Sequence, residues 1–364
     1  MLKPSYKIPT LPPDADFETL PIMRSLTRGT RLLAELKGRA PVIPNQGLLI
    51  DTLSLQEAKD SSEIENIITT HDELFRRDPR LDKGLVGPAK EVAVYRDALK
   101  CGFEHLGEAG GILLNRTIIE MFRTLKNRSD GFRQLPGTGL LNEASGEVIY
   151  VPPQDAADIE AHMAALERFI NDDAACVLDP LIKMAIIHHQ FESIHPFPDG
   201  NGRLGRMLNV LYLTKVGLLD IPILYMSRGI NRTKADYYRL LQAVRDSDDW
   251  EAWVVYMLDI IADSSDVTLA LLEGIRRQMM AFKAVLRADH PKIYSQDLIN
   301  NLFRHPYTRV EYVQRELSVS RPTATKYLEQ LVASELLLKF SEGRNNYYVN
   351  APLVRLLEDP SVER

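Results

Sequence analysis

The chain is poor in cysteine and tryptophan, with two of each among its 364 residues. Its cysteines, Cys101 and Cys176, lack the spacing of metal ligands and cannot form a disulfide framework. No apolar run is long enough to span a membrane, and the first residues lack the apolar segment of a signal peptide. These absences predict a cytoplasmic protein with no membrane partner.

The chain also lacks a large excess of charge of either sign. It carries 44 Lys and Arg against 50 Asp and Glu, a net charge of −6, so whole-chain electrostatics give no indication of nucleic-acid binding. Hydrophobic residues make up 45% and charged residues 26%, values that are typical of a globular protein. The length suits two or three domains.

One segment joins two apolar-rich runs, residues 181–192 and 206–214, which are predicted to be buried helices. Free backbone N–H groups and the helix dipole meet at a helix start, so this loop predicts an anion site. Glycines in the loop would let the backbone approach the anion closely. The segment reads His195-Pro-Phe-Pro-Asp199-Gly200-Asn201-Gly202-Arg203-Leu204-Gly205-Arg206.

The side chains of this loop motif have the chemistry of phosphate transfer. Arg203 and Arg206 are three residues apart, so both can face one side of the helix start and hold phosphates. Asp199 is a hard oxygen ligand suited to Mg²⁺, whereas Asn201 could bind phosphate or fix the turn. His195 precedes the loop, where a neutral imidazole could take a proton from an attacking hydroxyl. Together they predict transfer of a phosphate ester from a nucleotide–Mg²⁺ complex.

The motif resembles the Fic family signature, His-x-Phe-x-(Asp/Glu)-Gly-Asn-Gly-Arg-x-x-Arg, at every defined position. The resemblance implies a mainly α-helical fold with a Fic-type core. It also implies a protein adenylyltransferase that moves AMP from ATP to a Ser, Thr or Tyr hydroxyl of a target protein or of itself. His195 would be the catalytic base and Asp199 the metal ligand for Mg²⁺. The implied ATP and phosphate contacts are Asp199, Gly200, Asn201, Gly202, Arg203, Leu204, Gly205 and Arg206.

An upstream segment, Ser61-Ser-Glu-Ile-Glu65-Asn66, places Ser61 and Glu65 on one face of a predicted helix. By itself it is typical of an ordinary amphipathic helix. Beside the loop motif it resembles the inhibitory helix of the family, (Ser/Thr)-x-x-x-Glu-(Gly/Asn), which implies inhibitory roles for Ser61, Glu65 and Asn66. The resemblance implies that Glu65 pairs with Arg206 and so denies it to the ATP γ-phosphate.

The inhibitory helix is predicted over about residues 57–70. Ser54 and Glu57 have the spacing of a capping box at its start. The predicted domains are an N-terminal helical region over 1–110, a Fic catalytic core over 111–287 and a C-terminal domain over 288–364.

A β-prone run, Val148-Ile149-Tyr150-Val151, follows a turn signal at 144–147 and can pair with residues 133–141 as a hairpin. By the resemblance, this hairpin is a flap that registers the target protein by strand addition. A small hairpin that only covers the core is the alternative.

Two tyrosines, Tyr237 and Tyr238, resemble the segment of the family that lines the nucleotide base, since aromatic faces suit adenine. The alternative is that they are core residues, as helical tyrosines usually are. His188 and His189 lie in an apolar helix and are predicted to be core or near-site residues rather than metal ligands.

The last domain has the element order of a winged helix-turn-helix. Helices are predicted at 295–303, 309–317 and 323–334, followed by a hairpin around 341–345. Residues 308–349 carry six Lys or Arg and five Asp or Glu. The net charge of +1 is small for a DNA-binding surface. Packing, a homodimer or target contact is therefore the favoured use of the domain. The side chains that could face a DNA groove are Arg321, Thr323, Thr325, Lys326 and Gln330.

Two alternative functions stay open. The same site could remove AMP from a modified protein, or transfer another nucleotide or phosphate group. The chain could also be a DNA-binding regulator whose Fic core senses a ligand, in which case DNA binding would be salt-sensitive.

Overall fold

The computed structural model of the protein describes residues 6–43, 46–70, 87–141, 146–172, 177–342 and 345–360. Within these residues there are fourteen α-helices and five short strands, so the predicted mainly α-helical class is confirmed. Cys176 and the first half of the turn signal at 144–147 lie outside the described residues. No helix in the described ranges combines the length and the apolar character needed to cross a bilayer.

In the described ranges, six helices precede the loop motif. They are α1 (Leu20–Arg39), α2 (Gln46–Ile64), α3 (Pro88–Glu108), α4 (Asn115–Lys126), α5 (Ala156–Asn171) and α6 (Pro180–Ile194). A 3-10 turn (Ala40–Val42) follows α1, and the antiparallel strands β1 (Leu140–Leu141) and β2 (Val148–Tyr150) lie between α4 and α5.

The motif is followed by the rest of the helical core and then by a C-terminal region. The core helices are α7 (Asn201–Lys215), α8 (Met226–Arg232), α9 (Lys234–Ser247) and α10 (Trp250–Asp289). The C-terminal elements are α11 (Gln296–Arg304), β3 (Tyr307–Thr308), α12 (Val310–Leu317), α13 (Arg321–Ala333), β4 (Leu338–Glu342), β5 (Asn345–Val349) and α14 (Ala351–Glu358).

The centre of the fold is α6, in which every residue from Leu181 to Ile194 is buried. A helix that is buried on every side is enclosed by other elements, and α6 contacts α1, α5, α7 and α10. Asp179 caps its start by accepting a hydrogen bond from the Leu181 N–H at 2.8 Å, and Pro180 occupies the first turn. The buried helix predicted from the run 181–192 is therefore confirmed.

The longest helix in the described ranges, α10, has 40 residues. Near its start, the Trp253 indole N–H donates to the Ala185 carbonyl of α6 at 2.9 Å. Farther along, α10 meets α14 closely, since a Cβ on Gly274 would lie 2.7 Å from Leu356 Cδ1. One continuous helix thus runs from the central helix to the C-terminal region.

The helix α2 differs from the sequence prediction at both ends. It begins at Gln46, and the hydroxyl of Ser54 donates back to a carbonyl one turn earlier inside the helix. The capping-box prediction is therefore wrong. The helix stops just before Glu65 and does not reach residue 70. The physical reason is Asn66, whose φ of 60° is a left-handed conformation that ends a helix.

The C-terminal helices and the β4–β5 hairpin occur in the predicted order. Their strands form an antiparallel sheet in the order β3-β5-β4, with Tyr307 opposite Val349 and Phe340 opposite Tyr347. The hydroxyl of Ser320 caps α13 by accepting a hydrogen bond from its first turn. The tip of the hairpin lies outside the described residues.

Candidate active site

The loop motif connects α6 to α7, as the sequence predicts, but only residues 195–200 form the loop, because α7 begins at Asn201, earlier than the predicted run at 206–214. His195 ends α6 in a left-handed conformation with φ of 50°, and its backbone N–H donates to the Phe191 carbonyl at 2.9 Å. Burial lowers the pKa of His195 to about 3, and the positive charges of Arg133 and Arg245 act in the same direction. The imidazole is therefore neutral at pH 7, which is the form that can accept a proton.

The Asn201 side chain fixes the turn. Its Oδ1 accepts a hydrogen bond from the Phe197 N–H at 2.9 Å, and its Nδ2 donates to the Phe197 carbonyl at 2.8 Å. The Phe197 ring stacks on Phe122, with the ring centroids 4.2 Å apart. Of the two roles left open by the sequence, the structure shows the bracing role for the Asn201 side chain.

The start of α7 has the properties of an anion site. Gly200 caps it with φ of 79°, a conformation that glycine adopts at little cost, and the first N–H groups of a helix lack partners within it. Gly202 allows a close approach, because a Cβ there would lie 2.7 Å from Glu65 Oε1. Leu204 is buried, and a Cβ on Gly205 would lie 2.8 Å from a buried carboxyl oxygen. Phosphate contacts by the backbone at these two positions stay a prediction.

A single carboxylate, that of Glu65, lies between the two arginines of the motif. Glu65 Oε1 is 3.1 Å from Arg206 Nη2, and Glu65 Oε2 is 2.7 Å from Arg203 Nε. The sequence predicts only the pair with Arg206, so the contact with Arg203 extends that prediction. Arg203 also reaches Glu91, with Nη1 2.9 Å from Oε2. Both guanidinium groups are almost completely buried and neutralised by these carboxylates.

Ser61 accepts two further hydrogen bonds from Arg206. Arg206 Nε donates to the Ser61 hydroxyl at 2.7 Å, and Nη2 donates to the Ser61 carbonyl at 2.7 Å. Burial acts to lower the pKa of Arg206, but the Glu65 carboxylate outweighs it, so that the pKa is raised. Arg206 is thus a permanent cation, and its donors point to the end of α2.

Asn66 follows in the turn with φ of 60°. Its side-chain Oδ1 accepts a hydrogen bond from Lys234 Nζ at 2.9 Å. Glycine and asparagine are the residues that tolerate such a left-handed backbone best. The left-handed turn after Glu65 therefore favours asparagine at this position.

Asp199 is the candidate metal ligand, and its carboxylate is largely exposed. Its Oδ2 lies 2.5 Å from Lys126 Nζ. Partial burial acts to raise the pKa of Asp199, but the hydrogen bond and charge of Lys126 outweigh it and lower the pKa. An ionised, accessible carboxylate next to a candidate phosphate site would suit Mg²⁺, which binds through one or two carboxylates plus substrate phosphates. In the described residues no cluster of three or more metal-ligating side chains occurs, so other ligands would have to come from the substrate and water.

The two candidate adenine-binding tyrosines, Tyr237 and Tyr238, differ in burial. Tyr237 is buried, its hydroxyl lies 2.8 Å from His188 Nε2, and its ring packs near Trp253. Tyr238 is about half exposed beside it. Burial lowers the pKa of His188 to about 4, so His188 is a neutral core residue. A contact of either tyrosine with adenine stays a prediction, and in this structure Tyr237 is a core residue.

The hairpin β1–β2 pairs Leu141 with Val148 and Leu140 with Tyr150. Val148 and Ile149 are exposed, whereas Tyr150 and Val151 are buried. Tyr150 is tied to the last turn of α6, since its hydroxyl donates to the Ser193 carbonyl at 2.6 Å. The hairpin therefore sits beside the loop motif with its outer face open.

Sequence reasoning missed four side chains that shape this site. Glu57 is buried on the face of α2 that carries Ser61, and it accepts a hydrogen bond from the Ser227 N–H at 3.1 Å. Burial raises the pKa of Glu57 to about 7. The spacing of four residues between Glu57 and Ser61 indicates that they share a helix face. The other three side chains follow no recognisable pattern in the sequence. The missed residues are Glu57, Glu91, Lys126 and Arg133.

The fold and the site define a class: a helical protein with a glycine-containing loop between two central helices and an internal carboxylate on the arginines that follow that loop. Residues 23–104 match the Fic/DOC family N-terminal domain and residues 112–213 match the Fic/DOC family domain. Residues 279–353 match the domain described as "Protein adenylyltransferase SoFic-like, C-terminal domain". The chain belongs to the Fic/DOC family.

Relatives and solved structures agree with this assignment. The chain is 30% identical to the protein adenylyltransferase Fic of Drosophila melanogaster over 122 residues, which is 34% of this chain and 22% of the relative. It is 24% identical to the protein adenylyltransferase fic-1 of Caenorhabditis briggsae over 179 residues, 46% of this chain and 32% of the relative. The matches thus span a third or less of these relatives.

A Fic family protein from Desulfovibrio desulfuricans has a similar fold along nearly the whole chain. The TM-score is 0.57 with 20% sequence identity, and the match covers 96% of this chain and 98% of that one. At this level of identity the likeness supports the fold, and the chemistry has to be argued from the site.

Proposed function

We propose that the chain is a protein adenylyltransferase that uses ATP with Mg²⁺ and is inhibited in cis by Glu65. The observation that carries this proposal is the position of Glu65 between Arg203 and Arg206, beside a neutral His195. Arginine pairs at a helix start suit the phosphates of a nucleotide. An internal carboxylate at the same place competes with those phosphates.

In the proposed reaction, a Ser, Thr or Tyr hydroxyl of the target attacks the α-phosphorus of ATP. The new oxygen–phosphorus bond joins AMP to the target, the bond from the α-phosphorus to the bridging oxygen breaks, and pyrophosphate leaves. His195 takes the hydroxyl proton on its neutral imidazole. Arg203, Arg206 and the first N–H groups of α7 hold the phosphates. Mg²⁺ held by Asp199 would supply further neutralisation of phosphate charge.

Inhibition follows from the hydrogen bonds of Arg206. While α2 is in place, Arg206 donates to Ser61 and Glu65, so those donors are not available to a γ-phosphate. ATP bound without this contact would present its α-phosphorus poorly to the incoming hydroxyl. Removal of Glu65 is expected to free both arginines at once.

The hairpin β1–β2 is the proposed docking site for the target. Its exposed residues Val148 and Ile149 lie on the strand next to the motif. An extended target segment could add to this strand through backbone hydrogen bonds, which would set its register with little demand on its sequence.

For the C-terminal region we propose a winged helix that serves packing or protein contact. Two of its basic side chains are neutralised within the region: Arg321 Nη1 lies 2.9 Å from Glu311 Oε1, and Lys339 Nζ lies 2.6 Å from Glu329 Oε1. Both ion pairs reduce the positive charge that a DNA phosphate backbone would need.

The test is intact-protein mass spectrometry after incubation with ATP and Mg²⁺. Wild type, Glu65→Gly and the double variant Glu65→Gly with His195→Ala are compared, with Glu63→Gln as a matched control on α2. A gain of one AMP on Glu65→Gly alone supports transfer, inhibition and the base together. To cover external targets, the same variants are incubated with a cell extract and labelled ATP. Label on no protein in either assay would refute the proposal, and loss of AMP from a pre-modified protein without added pyrophosphate would favour hydrolytic removal of AMP instead.

A further inference from the structure

The side chain of Arg133 lies beneath the end of α6. Its Nε donates to the His195 carbonyl at 2.9 Å and its Nη2 lies 3.5 Å from the Ile194 carbonyl. Its backbone N–H donates to the Pro196 carbonyl at 2.8 Å. Three consecutive residues around the candidate base are therefore held by one arginine.

The same guanidinium also holds the segment that directly follows the hairpin. Arg133 Nη2 donates to the carbonyl of Pro153, three residues after Tyr150. A second link runs in parallel, because the Arg245 guanidinium lies 3.9 Å from the centre of the Tyr150 ring and its Nε donates to the Ser193 hydroxyl at 3.1 Å. The hairpin and the end of α6 thus share a buried cationic support.

Physical chemistry explains why a cation is placed there. The last carbonyls of a helix lack partners within it, and the helix dipole favours a positive charge at that end. His195 is held at φ of 50°, a conformation that costs free energy for a residue with a side chain and persists only when its surroundings fix it. Arg133 is only 5% exposed, so its contacts are shielded from water and strong.

We propose that Arg133 is a positioning residue that couples the hairpin to the base, so that docking of a target on the hairpin and orientation of the His195 imidazole are set by the same side chain. The inference rests on the proposed function, because it concerns the same reaction. It assigns Arg133 no contact with ATP.

The test uses Arg133→Met and Arg133→Lys in the full-length Glu65→Gly protein, with the exposed Arg128→Met as a control. Arg133→Met is expected to lower kcat at least about tenfold, since displacements near 1 Å at reacting groups are costly, with KM for ATP within about twofold. Because a nearby cation helps to keep the pKa of His195 low, its loss should also shift the acid limb of the rate profile to higher pH. Arg133→Lys, which keeps the charge, should preserve the pH profile better than Arg133→Met.

Hydrogen exchange supplies a readout that needs no activity. In Arg133→Met, exchange should rise together in peptides covering 148–151 and 192–199, with other helices of the core unchanged. A rate loss that only tracks a lower melting temperature, with an unmoved pH profile and unchanged exchange in both peptides, would overturn the coupling. If Glu65→Gly itself is inactive, the proposed function fails, while the exchange result still decides whether Arg133 links the two segments.

Discussion

Substitution of Glu65 perturbs two cations with one change. In Glu65→Gly, Arg206 keeps its two contacts with Ser61 and Arg203 keeps its contact with Glu91. Neither guanidinium is left without a partner, so the protein is expected to fold. Both groups lose the carboxylate that competes with phosphate, and the rate of AMP transfer is expected to rise.

The size of the rise can be estimated from the contacts. A hydrogen bond to a charged group contributes about 1.5–3 kcal/mol to stability. If ATP must displace one such contact to bind productively, its apparent affinity is lowered roughly 10- to 100-fold, since each 1.4 kcal/mol is about tenfold. The transfer rate at low ATP should rise by a similar factor in Glu65→Gly. Glu65→Gln, which keeps the shape and loses the charge, should lie between wild type and Glu65→Gly.

The assay measures initial rates of AMP incorporation against ATP concentration for all three proteins. Glu63→Gln is the control, because Glu63 lies in the last turn of α2, two residues before Glu65, and pairs with Lys59 at 3.0 Å rather than with the motif arginines. Melting temperatures show whether each variant is folded. Equal rates in wild type and Glu65→Gly, with both proteins folded, would refute inhibition by Glu65.

Three further predictions concern the base, the metal and pH. His195→Ala in the Glu65→Gly background should abolish transfer while circular dichroism stays unchanged; transfer at an undiminished rate would exclude His195 as the base. Lys126→Met should lower the Mg²⁺ concentration needed for half-maximal nucleotide binding, because Lys126 competes for the Asp199 carboxylate; an unchanged or higher requirement would contradict that competition. Burial raises the pKa of Glu57 from 4.5 to about 7. Between these two pH values the carboxyl group is therefore protonated in the folded protein and ionised in the unfolded protein. The contribution of this group to the free energy of unfolding should therefore fall as pH rises from about 4.5 to 7 and stay level above it. Chemical denaturation across this range should show a flatter profile for Glu57→Gln, and identical profiles would count against a raised pKa.

The motif residues could be predicted because local sequence sets their chemistry and placement. The apolar runs on either side indicate the two helices, and the turn between them uses the positive φ of His195 and Gly200. The approach of Glu65 to Arg206 also followed from a resemblance. Its second contact with Arg203 depends on where α2 ends, and that is decided by the backbone of Asn66.

Other features could not be predicted because their partners are backbone atoms or distant side chains. Arg133 binds carbonyl groups, which carry no signature in a sequence. Lys126 meets Asp199 only after α4 has packed beside the loop. Ser54 misled the capping prediction, because the apolar residues before it, Leu48 and Leu53 among them, extend the helical pattern upstream.

The continuous helix α10 gives the molecule the geometry of a lever. It has 40 residues, and its contacts at Trp253 and Gly274 lie 21 residues or about 32 Å apart along the helix, so a tilt of about 2° at one contact moves the other by about 1 Å. Trp253 fixes one end to the central helix, and Gly274 lies against Leu356 of the C-terminal region. A binding event at the C-terminal region would thus need only a very small rotation to shift the helices that carry the catalytic loop by a distance that matters for chemistry.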